Sequence, residues 1–249
     1  MTIQRVASQA SGGVADSTTL VAEPFTVNVT AGSLIVVLCG KYTPTVDAFV
    51  AGDCTKSAGT ATIDTPTLDV SLNFNYAGTD CIAVGIWSAL VTGSGSLTMQ
   101  VGSSVAGSFF IIGVNEYSGN WDGSRLEDSS SASAATGAPN SGDSTSAGAA
   151  LFVGVTTTTT NAPTTHTLDG AYTLIFEEED GSTHATGSTG DQIVAVGTTD
   201  SFSLTAPTTE RFAAALAVYK EAAGGGGPSV GPVGLLAQRN RRHRWRRAA

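Results

Sequence analysis

The chain has 249 residues, of which 41% are hydrophobic and only 13% charged. That is enough apolar material for a sizeable core under a weakly charged surface, and it excludes a disordered, charge-driven chain. Six of the twelve Lys and Arg fall at 239–247 and all 21 Asp and Glu precede them, so residues 1–238 carry six positive against 21 negative charges, a net of −15, and the last eleven carry +6.

Ser, Thr, Gly and Asn supply most of the polar remainder, and strong helix formers are scarce. Thr suits a half-buried pleated surface, while Gly, Ser and Asn suit turns, so the composition points to β-structure. The N-terminus, MTIQRVASQASGG, has no apolar stretch of signal-peptide type, and no run approaches 18 apolar residues. Neither a secretory leader nor a membrane span is expected. A protein of this extracellular character without a leader can leave its cell by lysis, as virion proteins do.

Strand signals then follow in chain order: Thr26–Thr30, Leu34–Leu38, Leu68–Asn75, Cys81–Ala89, Leu97–Val101 and Phe109–Tyr117, then Ala150–Thr156, Tyr172–Glu177, Gln192–Val196, Phe202–Thr205 and Arg211–Tyr219. LDVSLNFN alternates most cleanly, placing Leu68, Val70, Leu72 and Phe74 on one face. Ala213–Tyr219 has helical propensity, but its Val-Tyr ending favours a strand. Leu34, Val36, Leu72, Phe74, Ile86, Ile112, Phe152 and Leu216 are the expected core. Ala31–Val37 echoes Ala147–Val153, and Phe110–Tyr117 echoes Phe212–Tyr219, with offsets that differ by about a dozen residues. The pattern predicts an all-β, two-layer antiparallel sandwich of jelly-roll type over residues 1–222, built of two similar halves. The low-complexity stretch Asp128–Gly148 is a linker between two small domains or, as preferred here, a long surface crossover within one sandwich. Residues 223–249 form a Gly-rich linker and a flexible Arg-rich tail.

Chemistry-bearing motifs are sparse. Cys39 sits in the apolar run LIVVLCG, whereas Cys54 and Cys81 lie in polar settings where a disulfide between them is one option; no CxxC spacing points to zinc. Gly142-Asp143-Ser144 lacks the scaffold of the hydrolases that use such a block. His166, His184 and His243 have no metal-ligand spacing. The acidic groups Asp122, Glu127 and Asp128, and Glu177–Asp180 with Asp191, are first a solvated face. Calcium binding through loop oxygens and a glycosidase-like carboxylate pair are the sharper alternatives, and no cofactor is required. Trp87 is expected in the core. Trp121, in SGNWDGS, is expected on an exposed loop, where it is the candidate glycan-stacking residue.

The tail is the most specific feature. Arg239, Arg241, Arg242, Arg244, Arg246 and Arg247, with Trp245 among them and Leu235 and Leu236 ahead, form the candidate partner-binding segment. Such a polycation suits phosphates, nucleic acid or an acidic protein surface, a neighbouring subunit's body included. It is expected to be disordered when that partner is absent.

The segments VASQASGG (6–13), TAGSLIVVL (30–38), VAGSFFIIGVNEYSG (105–119), AGAALFVGV (147–155) and FAAALAVYK (212–220) together resemble jelly-roll structural proteins of tailed bacteriophages, found as decoration, head-fibre or tail-associated components. The resemblance lies in pattern, over about residues 3–221, and transfers no active-site residue. It implies a non-enzymatic protein on the exterior of a virion, or otherwise extracellular, assembled as a homo-oligomer with capsid or tail proteins and in contact with host surface glycans. The alternative from another class is a lectin-like carbohydrate-binding module.

Overall fold

A computed structural model describes residues 3–6, 11–15, 18–76, 80–107, 109–159, 166–180, 185–205 and 211–222. These residues are almost entirely strands joined by turns, with one short 3-10 turn at Ala51–Asp53. Among them no helix is long and apolar enough to cross a membrane.

The first half of the chain forms β1 (Gln4–Arg5), β2 (Ser11–Ala15), β3 (Thr18–Pro24), β4 (Leu34–Thr43), β5 (Cys54–Ala58), β6 (Thr62–Ile63), β7 (Thr67–Tyr76), β8 (Asp80–Gly93), β9 (Thr98–Gly107) and β10 (Phe109–Ser118). The second half forms β11 (Leu126–Ala134), β12 (Asn140–Thr145), β13 (Ala150–Thr159), β14 (Thr167–Leu168), β15 (Thr173–Asp180), β16 (Ala185–Val194), β17 (Thr199–Thr205) and β18 (Arg211–Lys220). In the first half a large sheet runs β2-β10-β4-β8-β7, with short β1 and β6 at its margins, and a small sheet runs β3-β9-β5. In the second half the large sheet runs β11-β18-β13-β16-β15 and the small one β12-β17-β14. Strand for strand the two orders are the same.

Register sharpens the equivalence. Leu34 lies opposite Tyr117 and Leu90; Leu151 lies opposite Tyr219 and Ile193. Even the irregularities match: β7 is bulged between Leu68 and Val70, and β15 between Leu174 and Phe176. On this register Leu34 corresponds to Leu151, one residue from the alignment that the sequence echo suggests. Strands buried on both faces show no alternation, so a slip of one residue is invisible in their sequence.

The expected two-layer sandwich over 1–222 is met in its all-β, antiparallel character but not in its layering. Apolar clusters follow one another across four sheets. Val21, Met99 and Val101 of the first small sheet meet Ile35, Val37, Trp87 and Ile112 of the first large sheet. The opposite face of that sheet, with Leu34, Val36, Leu38 and Ile86, meets Leu151, Val153, Ala213, Ala215 and Ala217 of the second large sheet. Behind those, Phe152, Leu216 and Val218 meet Phe202 and Leu204 of the second small sheet. Being central on both sides is why LIVVLCG is apolar without a break. The alanines of β18 lie flat between the two large sheets, which resolves their helix-or-strand ambiguity in favour of a strand.

Three further expectations change. Thr26–Thr30 contributes only an isolated bridge, Val29 to Gly95. The low-complexity stretch is not a crossover: it holds β11 and β12, whose serines suit an edge strand and a small outer sheet. Leu72 and Phe74 are half-buried rather than buried, because β7 is an edge strand, and the bulge at Asp69 turns Leu68 into the cluster opposite to theirs. Phe74→Ala is therefore expected to cost about 1–2 kcal/mol, below the usual core range, read as a fall in denaturation midpoint. All three cysteines are free and buried, with no bridge between Cys54 and Cys81.

Candidate functional site

The partner-binding residues Leu235, Leu236, Arg239, Arg241, Arg242, Arg244, Trp245, Arg246 and Arg247 lie outside the described residues. Trp121 is half-buried rather than exposed. Its ring closes on Gly119, where an added Cβ would come within 2.7 Å, and its indole N–H donates to the Tyr117 carbonyl at 3.0 Å. Trp87 is core, edge-on to Phe49 at 5.2 Å.

Four of the acidic groups are occupied locally. Asp122 accepts the Ser124 amide, Asp128 those of Ser129 and Thr145, and Glu127 that of Ala147. Glu177 accepts the Ser188 hydroxyl at 3.0 Å, and Ser188 also bonds His166 Nδ1 at 2.9 Å. Ser188 thus stands between His and carboxylate, whereas a nucleophile needs the histidine in the middle. Among the described residues no group of three or more His, Cys, Asp or Glu comes together to hold a metal ion.

Two polar clusters that sequence reasoning missed cross between the halves, one in each direction. Tyr117, at the end of β10, donates its hydroxyl to Asp191 Oδ2 at 2.8 Å, and Arg5 of β1 reaches Asp191 Oδ1 at 3.2 Å. Tyr219, at the end of β18, donates to Asp69 Oδ2 at 2.6 Å. Arg125, just ahead of β11, donates to the Ser88 hydroxyl at 3.0 Å and to its carbonyl at 3.1 Å, and lies 3.6 Å from Asp64. The clusters obey the internal equivalence. Tyr117 matches Tyr219, Asp191 matches Ser88, and the bulged Asp69 matches the bulged Ile175. The carboxylate has changed strands between the halves but meets the same tyrosine. Partners 74 and 150 residues apart leave no local signal in the sequence.

Burial pushes both carboxyls up, although Arg5 and Tyr117 pull Asp191 down and Ser88, Tyr219 and Arg125 pull Asp69 down. Burial also lifts both tyrosines well above their ordinary range, and the facing carboxylates add to it. Both phenols stay protonated donors across physiological pH. Asp191→Ala is expected to cost about 2–3 kcal/mol, because the buried Tyr117 hydroxyl loses its acceptor, and Asp69→Ala about as much through Tyr219. The fall in urea midpoint measures both.

Beside the first cluster lies an open pocket of about 410 Å³ lined by Arg5, Ala171, Thr173, Asp191, Gln192 and Ile193. A further buried charged group is Lys41, whose Nζ sits 2.6 Å from Asp47 and 4.1 Å from the Phe49 ring centre. Two of the thiols are poor nucleophiles: burial raises Cys39, and burial followed by nearby Asp53 pushes Cys54 up to about 12. What these arrangements do chemically is hold sheets together, and of the paired side chains Arg5 and Asp191 also line the open pocket. No protein-family model, curated protein or solved structure matches the chain.

Proposed function

We propose that the chain is a non-enzymatic structural protein of a phage-type virion, two jelly-roll halves in tandem, displayed on the particle exterior as a homo-oligomer and attached or assembled partly through its basic C-terminal segment. The observation that carries this reading is the strand order repeated in both halves. With the short β1 and β6 left out of the count, the first strand of each half lies beside the last, the last beside the third and the third beside the sixth, while the second, seventh and fourth form the facing sheet. Pairing of first with last is what two Greek keys rolled together produce, and the fifth strand is here carried to the margin of the large sheet. The inter-half clusters support a durable, rigid body rather than a gated one, since Tyr117, Asp191, Tyr219 and Arg125 are largely withdrawn from solvent. The resemblance in residues 3–221 supplies the particle.

The test compares the full chain with one ending at Gly224 for attachment to purified particles at low and high salt. Attachment that needs the tail and weakens steeply with ionic strength is expected. Equal attachment by both chains at both salts, or a soluble protein that never copurifies with particles, would overturn the reading. No contact of Trp121 favours the carbohydrate-binding alternative, and a glycan array unchanged by Trp121→Ala would remove it.

A further inference from the structure

β15 forms one margin of the second large sheet, and its strand partner among the described residues is β16 alone. Its outer edge presents backbone N–H and C=O groups to which another strand can pair. Two features mark this edge as more than a bare margin. Leu174, near its start, is 48% exposed, one residue from Thr173 at the rim of the pocket. Three residues after Leu174 comes the run Glu177-Glu178-Glu179-Asp180, while Phe176 turns inward over Gly12.

The chain leaves the fold at the matching end of the same sheet. Lys220 lies opposite Ala150, Ala150 opposite Val194, and Thr173 opposite Asp191. From β18 to β15 is therefore three strand spacings, about 14 Å. Residues 221–233 span up to about 40 Å when extended, so the segment that follows can reach the start of β15 without strain. Running onward from there, it would lie parallel to β15. Its order is the complement of that strand: Leu235 and Leu236, then Arg239, Arg241 and Arg242, with Arg239 three residues after Leu236 as Glu177 is three after Leu174. A parallel course sets leucine by leucine and Arg by carboxylate. An antiparallel course sets Arg by Leu174 and leaves the carboxylates facing apolar chain.

We propose that residues 234–242 of the chain's own C-terminal segment dock along the free edge of β15 as an added parallel strand. This holds whether or not the protein belongs to a virion. It commits residues 234–242 to their own subunit and leaves Arg244, Arg246 and Arg247 for a particle contact, because a tether this short gives an effective concentration in the millimolar range, which a second copy in dilute solution does not match.

Disulfide trapping in the full-length chain tests it. Cys39, Cys54 and Cys81 are buried and do not compete under mild oxidation of the folded protein. With Glu178→Cys and Asn240→Cys, oxidation at low salt is expected to give an intrachain bridge in most molecules. Trapping should fall strongly at about 1 M salt, where the Debye length is about 3 Å. Adding Glu177→Gln and Glu179→Gln to the same pair should lower low-salt trapping by about fivefold. The pair Leu174→Cys with Arg239→Cys, which an antiparallel course would bring together, should not bridge. Absence of any bridge, disulfide-linked dimers in place of the intrachain product, or bridging of the Leu174 and Arg239 pair instead would each overturn the proposal.

Discussion

Asp47→Ala is expected to destabilise the protein by about 3–5 kcal/mol, because it strands a buried cation. Lys41 points from β4 into the first half with its side chain fully withdrawn from solvent. Its ammonium donates to Asp47 Oδ2 at 2.6 Å and to Ser103 Oγ at 3.2 Å. Asp47 also accepts the hydroxyls of Ser103 and Ser104. Remove the carboxylate and the charge has left only a serine and the Phe49 ring. Lys41→Met should cost less, since Asp47 keeps two serine donors and the thioether fills the space of the lysine stem. Removing both charges together should cost less than Asp47→Ala alone, the signature of an ion pair whose attraction mainly offsets its own desolvation.

The same pair sets a pH dependence. Burial alone would raise Asp47, but hydrogen bonds from Lys41, Ser103 and Ser104 outweigh it and hold the carboxyl at about 2, against an ordinary 3.8. A depressed folded value means that the stabilisation is complete above the ordinary value and is lost as pH falls through about 2. It is worth about 2 kcal/mol. Asp69 and Asp191 work in the opposite sense. With folded values raised by burial, they bind protons more readily folded than unfolded, so their part of the stability falls as pH rises from the ordinary value through the raised one. Unfolding midpoints of Asp47→Asn and wild type, compared between about pH 6 and pH 2, should converge on the acid side if the assignment is right.

How much of this was legible in the sequence depended on whether a segment declared its own burial. Leu34–Leu38, Phe109–Tyr117, Ala150–Thr156 and Arg211–Tyr219 are central strands, and their apolar runs placed them correctly. The serines of β11 and β12 carry turn chemistry in isolation and become strands only because β18 and β17 offer them a ladder. The duplication showed as an echo, yet the layering did not, since a strand flanked by two cores and a strand in one thick core have the same composition. The polar clusters were illegible for a different reason. Tyr117 and Tyr219 look like ordinary strand ends, and Asp69 like a polar position on an alternating strand. Only the bulge that turns Asp69 toward the other half gives it Tyr219 as a partner.

Phe202→Ala should be among the most damaging substitutions in the second half, near the top of the usual 3–5 kcal/mol for a buried phenylalanine. The reason is a redistribution of volume between the halves. In the first half the bulky ring comes from the large sheet: Trp87 lies on β8, with Val37 across from it on β4. The corresponding positions in the second half are Gly190 on β16 and Gly154 on β13, and the space is filled from the small sheet by Phe202. A Cβ on Gly154 would fall within 2.1 Å of the Phe202 ring and one on Gly190 within 3.0 Å, while Tyr172 meets the ring edge-on at 5.2 Å. Two glycines have no side chains to move into the void, and their backbones are pinned in the ladders of the large sheet, so the cavity cannot collapse. A site with flexible neighbours would recover part of the loss; this one recovers little. Phe202→Leu should cost roughly 1–2 kcal/mol, as part of the volume remains. Gly154→Ala in the wild-type background should also destabilise, by overpacking, and should be partly rescued when combined with Phe202→Ala, which removes the Cγ and ring atoms nearest the added methyl. Chemical denaturation of the three variants and the double mutant reads these differences as midpoint shifts at unchanged slope. A Phe202→Ala loss below about 1 kcal/mol would mean that the small sheet does not fill the glycine floor.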